Sequence, residues 1–176
     1  MLIIGTMTTH SLPSAQRPLV LDPGQGEHYH FLNNLATVKV SGGTEGQLSV
    51  VEFVAPCGFG PPLHRHNDED ELFVILGGAI VFRTGDIERR GEEGTVALLP
   101  RAVPHTFQVL SETARFLNVT GSTTGSPRFD AMVATLGTPT LGTALPAPME
   151  IDPGEVAEVC AAHGIDVLGP PPAPLD

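Results

Sequence analysis

The run Gly58-Phe59-Gly60-Pro61-Pro62-Leu63-His64-Arg65-His66-Asn67-Asp68-Glu69-Asp70-Glu71, closed by Gly78, carries the chemistry of this chain. In an extended chain residues i and i+2 face the same side, so His64 and His66 project their imidazoles together. Glu71, near the start of the next apolar run, returns a carboxylate to the same place after a tight bend. A second segment, Gly94-Thr95-Val96-Ala97-Leu98-Leu99-Pro100-Arg101-Ala102-Val103-Pro104-His105, adds one more imidazole from a separate hairpin. Three neutral ring nitrogens and one carboxylate suit a divalent first-row metal and leave coordination positions open. The set holds no soft sulfur, which argues against a cluster or a copper(I) site.

Outward from this segment the sequence reads as strands. Ala36 to Ser41 alternates apolar and polar, and Leu48 to Val54 is a nearly continuous β-type run. Leu72–Leu76 and Ala79–Phe82 flank a Gly-Gly break, and Thr95–Leu99, His105–Leu110 and Ala114–Val119 complete the series. Turn signals recur about every 8–12 residues, as in a sandwich or barrel. After Gly121 the pattern changes. Phe129–Leu136 can form a short helix. Pro153–His163 is a stronger one, with Asp152 as N-cap, Pro153 at N1 and Gly164 as the left-handed stop. His163 suits the negative end of that helix. The expected organisation is an N-terminal arm over 1–26, a barrel over 27–125, and a helical C-terminal extension with a Pro-rich tail over 126–176.

Composition agrees. The 176 residues include 20 Gly and 17 Pro, well above the usual combined share of roughly 12%, which disfavours a helical bundle. A net charge of -11 argues against nucleic acid and against anionic membrane surfaces. No run approaches the roughly 18 apolar residues of a spanning helix, and Met1-Leu2-Ile3-Ile4-Gly5-Thr6-Met7 lacks a basic leader segment. Cys57 and Cys160 are far apart, each reading as a small structural residue of a chain in a reducing, cytoplasmic compartment.

The spacing G-x5-H-x-H-x4-E-x6-G, met by Gly58, His64, His66, Glu71 and Gly78, resembles the first motif of the cupin superfamily. The second motif, G-x5-P-x-G-x2-H-x3-N, is matched at Gly94, Pro100 and His105. It departs at Ala102, where the family has Gly, and at Val109, where it has Asn. Further stretches, including Glu27-His28-Tyr29-His30-Phe31-Leu32 and Gly164-Ile165-Asp166-Val167-Leu168-Gly169-Pro170-Pro171, are similar to single-domain bacterial cupins grouped with quercetin 2,3-dioxygenases. The resemblance implies an all-β chain with one jelly-roll barrel, and His64, His66, Glu71 and His105 as metal ligands. It implies iron, nickel, cobalt or manganese rather than zinc or copper. It also implies an O2-dependent cleavage of a carbon–carbon bond in an enol or flavonol-like substrate, with Glu71 as ligand and base. Other chemistries of this barrel are a non-redox lyase, isomerase or polyketide-cyclase-like reaction, or small-molecule binding without catalysis. Homodimers are common in the family, and one is expected here.

Strand alternation places Phe73 on the face of Glu71 and Phe107 on that of His105. With Phe53, Phe116, Leu48 and Val50 from neighbouring strands, and Tyr29 and His30 at the edge, they are the expected pocket for a small apolar or aromatic substrate and O2. The same phenylalanines can instead simply fill the barrel. Asp68-Glu69-Asp70 reads as a solvated acidic turn, although Asp70 competes with Glu71 as the oxygen ligand; the x4 spacing favours Glu71. Arg65 and Arg101 are expected at the surface or neutralising this turn.

Overall fold

Alternation along the apolar runs builds two antiparallel sheets that face each other across a phenylalanine-rich core. The computed structural model describes residues 18–43, 47–123, 125 and 128–175. Of the expected N-terminal arm, residues 1–17 lie outside the described residues, and 18–26 carry no strand or helix. In chain order the elements are β1 (Glu27–Phe31), β2 (Asn34–Val40), β3 (Leu48–Pro56), β4 (His64–His66), β5 (Glu69–Gly77), β6 (Ala79–Thr84), β7 (Ile87–Glu92), β8 (Val96–Leu99), β9 (His105–Val109), β10 (Thr113–Ser122), α1 (Phe129–Leu136), β11 (Thr138–Thr140), α2 (Pro153–Ala162) and β12 (Ile165–Val167). One sheet runs β11-β1-β2-β3-β10-β5-β8 and the other β12-β4-β9-β6-β7. The turn spacing pointed to a sandwich or barrel, and this is the all-β jelly-roll architecture that the family resemblance implies.

Inward residues meet in layers. On β3, Ser49, Val51, Phe53 and Ala55 are buried while Val50, Glu52 and Val54 are half-exposed. Phe53 stacks on Phe116 at 5.4 Å between ring centroids, and Phe73 meets Phe107 edge-on at 5.2 Å. Truncating a buried Phe in such a cluster costs on the order of 3–5 kcal/mol. Gly78, between β5 and β6, has φ +81, and a Cβ there would collide with the Thr113 carbonyl. The closing glycine of the first motif is therefore required by both conformation and space.

The C-terminal segment contributes strands to both sheets. β11 pairs with β1 and β12 with β4, so it extends both sheets. α1, just before β11, and α2, just before β12, lie over the barrel and bury Phe129, Met132, Val156 and Cys160. α2 begins as its sequence dictates: the Asp152 carboxylate accepts the Gly154 N–H at 2.8 Å. No helix among the described residues is long and apolar enough to cross a membrane.

Candidate metal centre

β4 is only three residues long, yet it carries two of the four candidate ligands. It is held between two neighbours: β9, in the register His64↔His105, and β12, in the register Ile165↔His66 and Val167↔His64. The first brings a third imidazole beside His64, and Arg65 ties the second by an ion pair to Asp166 at 2.9 Å. Glu71 lies on β5, whose inward positions are Glu69, Glu71, Phe73 and Ile75. One potential ligand atom from each of His64, His66, Glu71 and His105 falls within 4.8 Å of the others. Donor atoms about 2.1 Å from one ion stand roughly 3.0 Å apart when adjacent and roughly 4.2 Å when opposite, so the cluster is of ionic size.

The hydrogen bonds fix which nitrogen each ring presents. Nδ1 of His64 donates to the Pro62 carbonyl at 2.8 Å, and Nδ1 of His105 donates to the Val103 carbonyl at 2.9 Å. Nδ1 of His66 lies 3.2 Å from Oε2 of Glu69. Carbonyl and carboxylate oxygens accept only, so each Nδ1 bears a proton, and in the neutral ring Nε2 keeps its lone pair. Nε2 of His105 is 3.0 Å from Oε2 of Glu71 and Nε2 of His66 is 3.7 Å from Oε1. Among the described residues, Nε2 of His66, Nε2 of His105 and Oε2 of Glu71 are buried without a hydrogen-bond partner. Three lone-pair atoms left unsatisfied around one point is the arrangement a cation completes, and the donor set fits a divalent transition metal.

The protonation of His64 and Glu71 supports this. Burial, then the neighbouring His105, push His64 down to about 4, keeping it neutral. Burial alone would raise the Glu71 carboxyl, but His66 and His105 beside it outweigh that and hold it well below the usual carboxylate range. Burial lowers His105, yet the Glu71 carboxylate more than offsets this and leaves it raised. Asp70, the competing oxygen ligand, points outward on β5 and forms an ion pair with Arg101 at 2.7 Å, which holds its carboxyl at about 2. It does not reach the cluster.

A cavity of about 70 Å³ adjoins the centre, with His64 and Glu71 in its wall. Phe53, Phe107 and Phe116 line it from the barrel, and Met132, Val156 and Cys160 from the helices. Phe73 does not line it. Although it shares the face of Glu71, it lies deeper, enclosed by Phe82, Phe107 and Phe116, and is core. Tyr29 and His30 are not in the wall either: the Tyr29 ring packs on Gly137 at the end of α1, and His30 occupies the alternate face of β1 from Phe31. Leu48 and Val50 have the opposite parity to Phe53, so they point out of the barrel.

Two residues of the centre are not among those expected from sequence. Glu69 is not solvated; it is buried, bonded to His66 on one oxygen and accepting the Arg128 N–H at the start of α1 on the other. Asn118 donates from Nδ2 to Oε1 of Glu71 at 2.6 Å, leaving Oε2 as the open carboxylate atom. Strand parity is the signal for both, since Glu69 shares the face of Glu71 and Asn118 that of Phe116.

Residues 50–120 match the family described as Cupin domain. This part of the chain is similar to the cupin domain. Over 116 residues the chain is 32% identical to a quercetin 2,3-dioxygenase of Bacillus subtilis (strain 168), covering 65% of the chain and 34% of that protein. It thus spans about a third of the length of that curated relative. Among solved structures it resembles KdgF from Halomonas sp., with TM-score 0.53, 17% identity, and coverage of 64% of this chain and 96% of that one. It also resembles the cupin domain of Cnp3 from Schizosaccharomyces pombe, with TM-score 0.50, 16% identity, and coverage of 58% and 72%. At these identities the structural likeness shows the fold.

Proposed function

We propose that this chain is a metal-dependent cupin dioxygenase that cleaves a carbon–carbon bond of a compact, largely apolar enol, using iron, nickel, cobalt or manganese. The observation that carries the reading is a four-residue ligand set opening directly onto an apolar cavity. A divalent ion held there by His64, His66, Glu71 and His105 supplies Lewis acidity toward an enol oxygen and a site for dioxygen chemistry. The protein's own part is then definite. Asn118 occupies Oε1 of Glu71, so the enol proton goes to Oε2. Phe53, Phe107 and Phe116 exclude water from the reacting face, and the Nδ1 bonds of the three imidazoles fix their orientation. The similarity to a quercetin 2,3-dioxygenase supports oxygen chemistry. The cavity of about 70 Å³ is far below the roughly 300–1,000 Å³ of drug-sized pockets, so a flavonol enters only if α1 and α2 move. Oxygen uptake by protein loaded with each of the four metals, against compact enols and quercetin, tests this; both atoms of ¹⁸O2 should appear in the product. Turnover of the same compounds without oxygen would instead identify a non-redox Lewis-acid enzyme.

We also propose that the chain pairs with a second copy through the outer face of the larger sheet. There Val50, Val119, Leu72 and Leu98 form one cross-strand row, and Leu117, Val74 and Val96 the next. Val96 and Leu98 are about 60% exposed. On a chain of net charge -11, this apolar patch lets two copies meet, since the Glu52 beside it is already paired with Lys39 and Arg115. Light scattering should give twice the chain mass, and Leu98→Glu should return the monomer. Cys57 and Cys160 are both unpaired, which suits a cytoplasmic location.

A further inference from the structure

The polar group in the cavity wall that the metal chemistry leaves unused is Asn34. It is 0% exposed, and among the described residues neither Oδ1 nor Nδ2 has a hydrogen-bond partner. It lines the same cavity as His64 and Glu71. A buried amide without partners costs about 1–3 kcal/mol for each unsatisfied atom. The surrounding wall, which includes Phe31, Leu32, Met132 and Leu136, offers it no compensation.

The backbone holds Asn34 firmly. β1 and β2 are joined by Leu32 and Asn33 alone, with Phe31 paired to Asn34. Both linking residues are left-handed, at φ 46 and 70, which is the two-residue turn that matches strand twist. Leu32 is a costly residue there, by about 1–2 kcal/mol. The turn is clamped from the far end of the chain: Oδ1 of Asn33 accepts the Met149 N–H at 2.9 Å, and Nδ2 of Asn33 donates to the Met149 carbonyl at 3.2 Å. A strained, doubly tethered turn thus delivers an unpartnered amide to the cavity.

Register separates Asn34 from the metal end. Ala36, two residues along β2, pairs with Phe53, and Phe53 pairs with Phe116. Glu71 pairs with Thr120, four residues further along β10 in the opposite direction. The two polar ends of the cavity are therefore divided by the phenylalanine layer.

We propose that Asn34 binds the substrate's second polar group, and that this group is a neutral donor–acceptor head: a carboxamide, a lactam or a protonated acid. A primary amide offers a donor and an acceptor side by side, so its complement presents an acceptor and a donor. Among the described residues no Lys or Arg lines the cavity, which disfavours an ionised carboxylate at that end. The substrate is then a compact apolar body with a metal-directed oxygen at one end and a neutral amide-like group at the other. This assignment rests on the reading of the metal end as the reactive end, but the Asn34 contact itself needs neither oxygen nor turnover.

The test uses full-length, zinc-loaded protein and two isosteric probes: 2-pyrrolidinone, a donor–acceptor lactam, and cyclopentanone, an acceptor alone. Binding is followed by NMR of the Asn side-chain NH2 groups, independently of catalysis. Wild type should bind pyrrolidinone about tenfold more tightly, the equivalent of about 1.4 kcal/mol, with the Asn34 NH2 resonances shifting. Asn34→Leu should bring the ratio to unity or below, and the wild-type shifts decide the matter even if that variant does not fold. Equal binding in wild type, no pyrrolidinone binding, an unmoved Asn34 NH2, or a preference kept in folded Asn34→Leu would each overturn the assignment. Loss of oxygen uptake with the probe ratio intact would instead remove the dioxygenase reading and leave Asn34 in place.

Discussion

Replacing Glu69 by Gln separates metal holding from folding. The Glu69 carboxylate makes two contacts: Oε2 with Nδ1 of His66 at 3.2 Å, and Oε1 with the Arg128 N–H. In Glu69→Gln the amide oxygen can keep the bond to Arg128, but its NH2 then faces the Nδ1–H of His66, donor against donor. The imidazole relieves this by moving its proton to Nε2, which removes the lone pair aimed at the ion. Losing such an outer carboxylate lowers metal affinity roughly 10–100-fold, or about 1.4–2.7 kcal/mol. Glu69→Ala adds a second loss. Arg128 provides no side-chain cap for α1, so removing the Glu69 oxygen also uncaps the helix, at about 1–2 kcal/mol of folding stability. Competition titration of Zn(II) against a chelator, with urea unfolding of the metal-free proteins, reads both quantities. Glu69→Gln should lose metal affinity with little change in stability, and Glu69→Ala should lose both. Wild-type affinity in Glu69→Gln would refute the claim that Glu69 sets the tautomer of His66.

Three further outcomes follow from the geometry. Because the folded-state value of His64 lies at about 4, below its ordinary 6.5, the unfolded chain takes up this proton first. The metal-free protein should therefore lose stability as pH falls from 6.5 toward 4, by roughly 3 kcal/mol from this group, and urea unfolding of His64→Leu should show a correspondingly flatter slope. Ala102 occupies φ 61 where the family has Gly; Ala102→Gly should gain about 0.5–1 kcal/mol after the entropy of the freer unfolded chain is subtracted, raising the melting temperature by about 1–4 °C. Met132→Ala, in the helical wall, should cost on the order of 2–5 kcal/mol of stability and raise kcat/KM for a bulky enol relative to a compact one.

The ligand set was legible because its signals are local. The i, i+2 pair of His64 and His66 needs only an extended chain, and the glycine and proline punctuation around His105 marks a hairpin. α2 was equally plain from Asp152, Pro153 and Gly164. What escaped depends on partners distant in sequence. β11 and β12 are three residues each and exist because β1 and β4 offer open edges to them. Glu69 was masked by its acidic neighbours, whose charge suggests solvent, while alternation along β5 turns it inward with Glu71. Asn34 follows a turn and reads as part of it; only its missing partners mark it out. Leu48 and Val50 show the converse error, since a continuous apolar run conceals its parity until one residue is known to face the core.

We expect one divalent cation among His64, His66, Glu71 and His105. Anomalous difference density from crystals of the purified protein, collected across the edge of the metal found by elemental analysis, tests it most directly. A single peak is expected about 2.0–2.3 Å from the three Nε2 atoms and the Glu71 carboxylate. Density at another position, or metal-loaded crystals with no peak among these four residues, would contradict it.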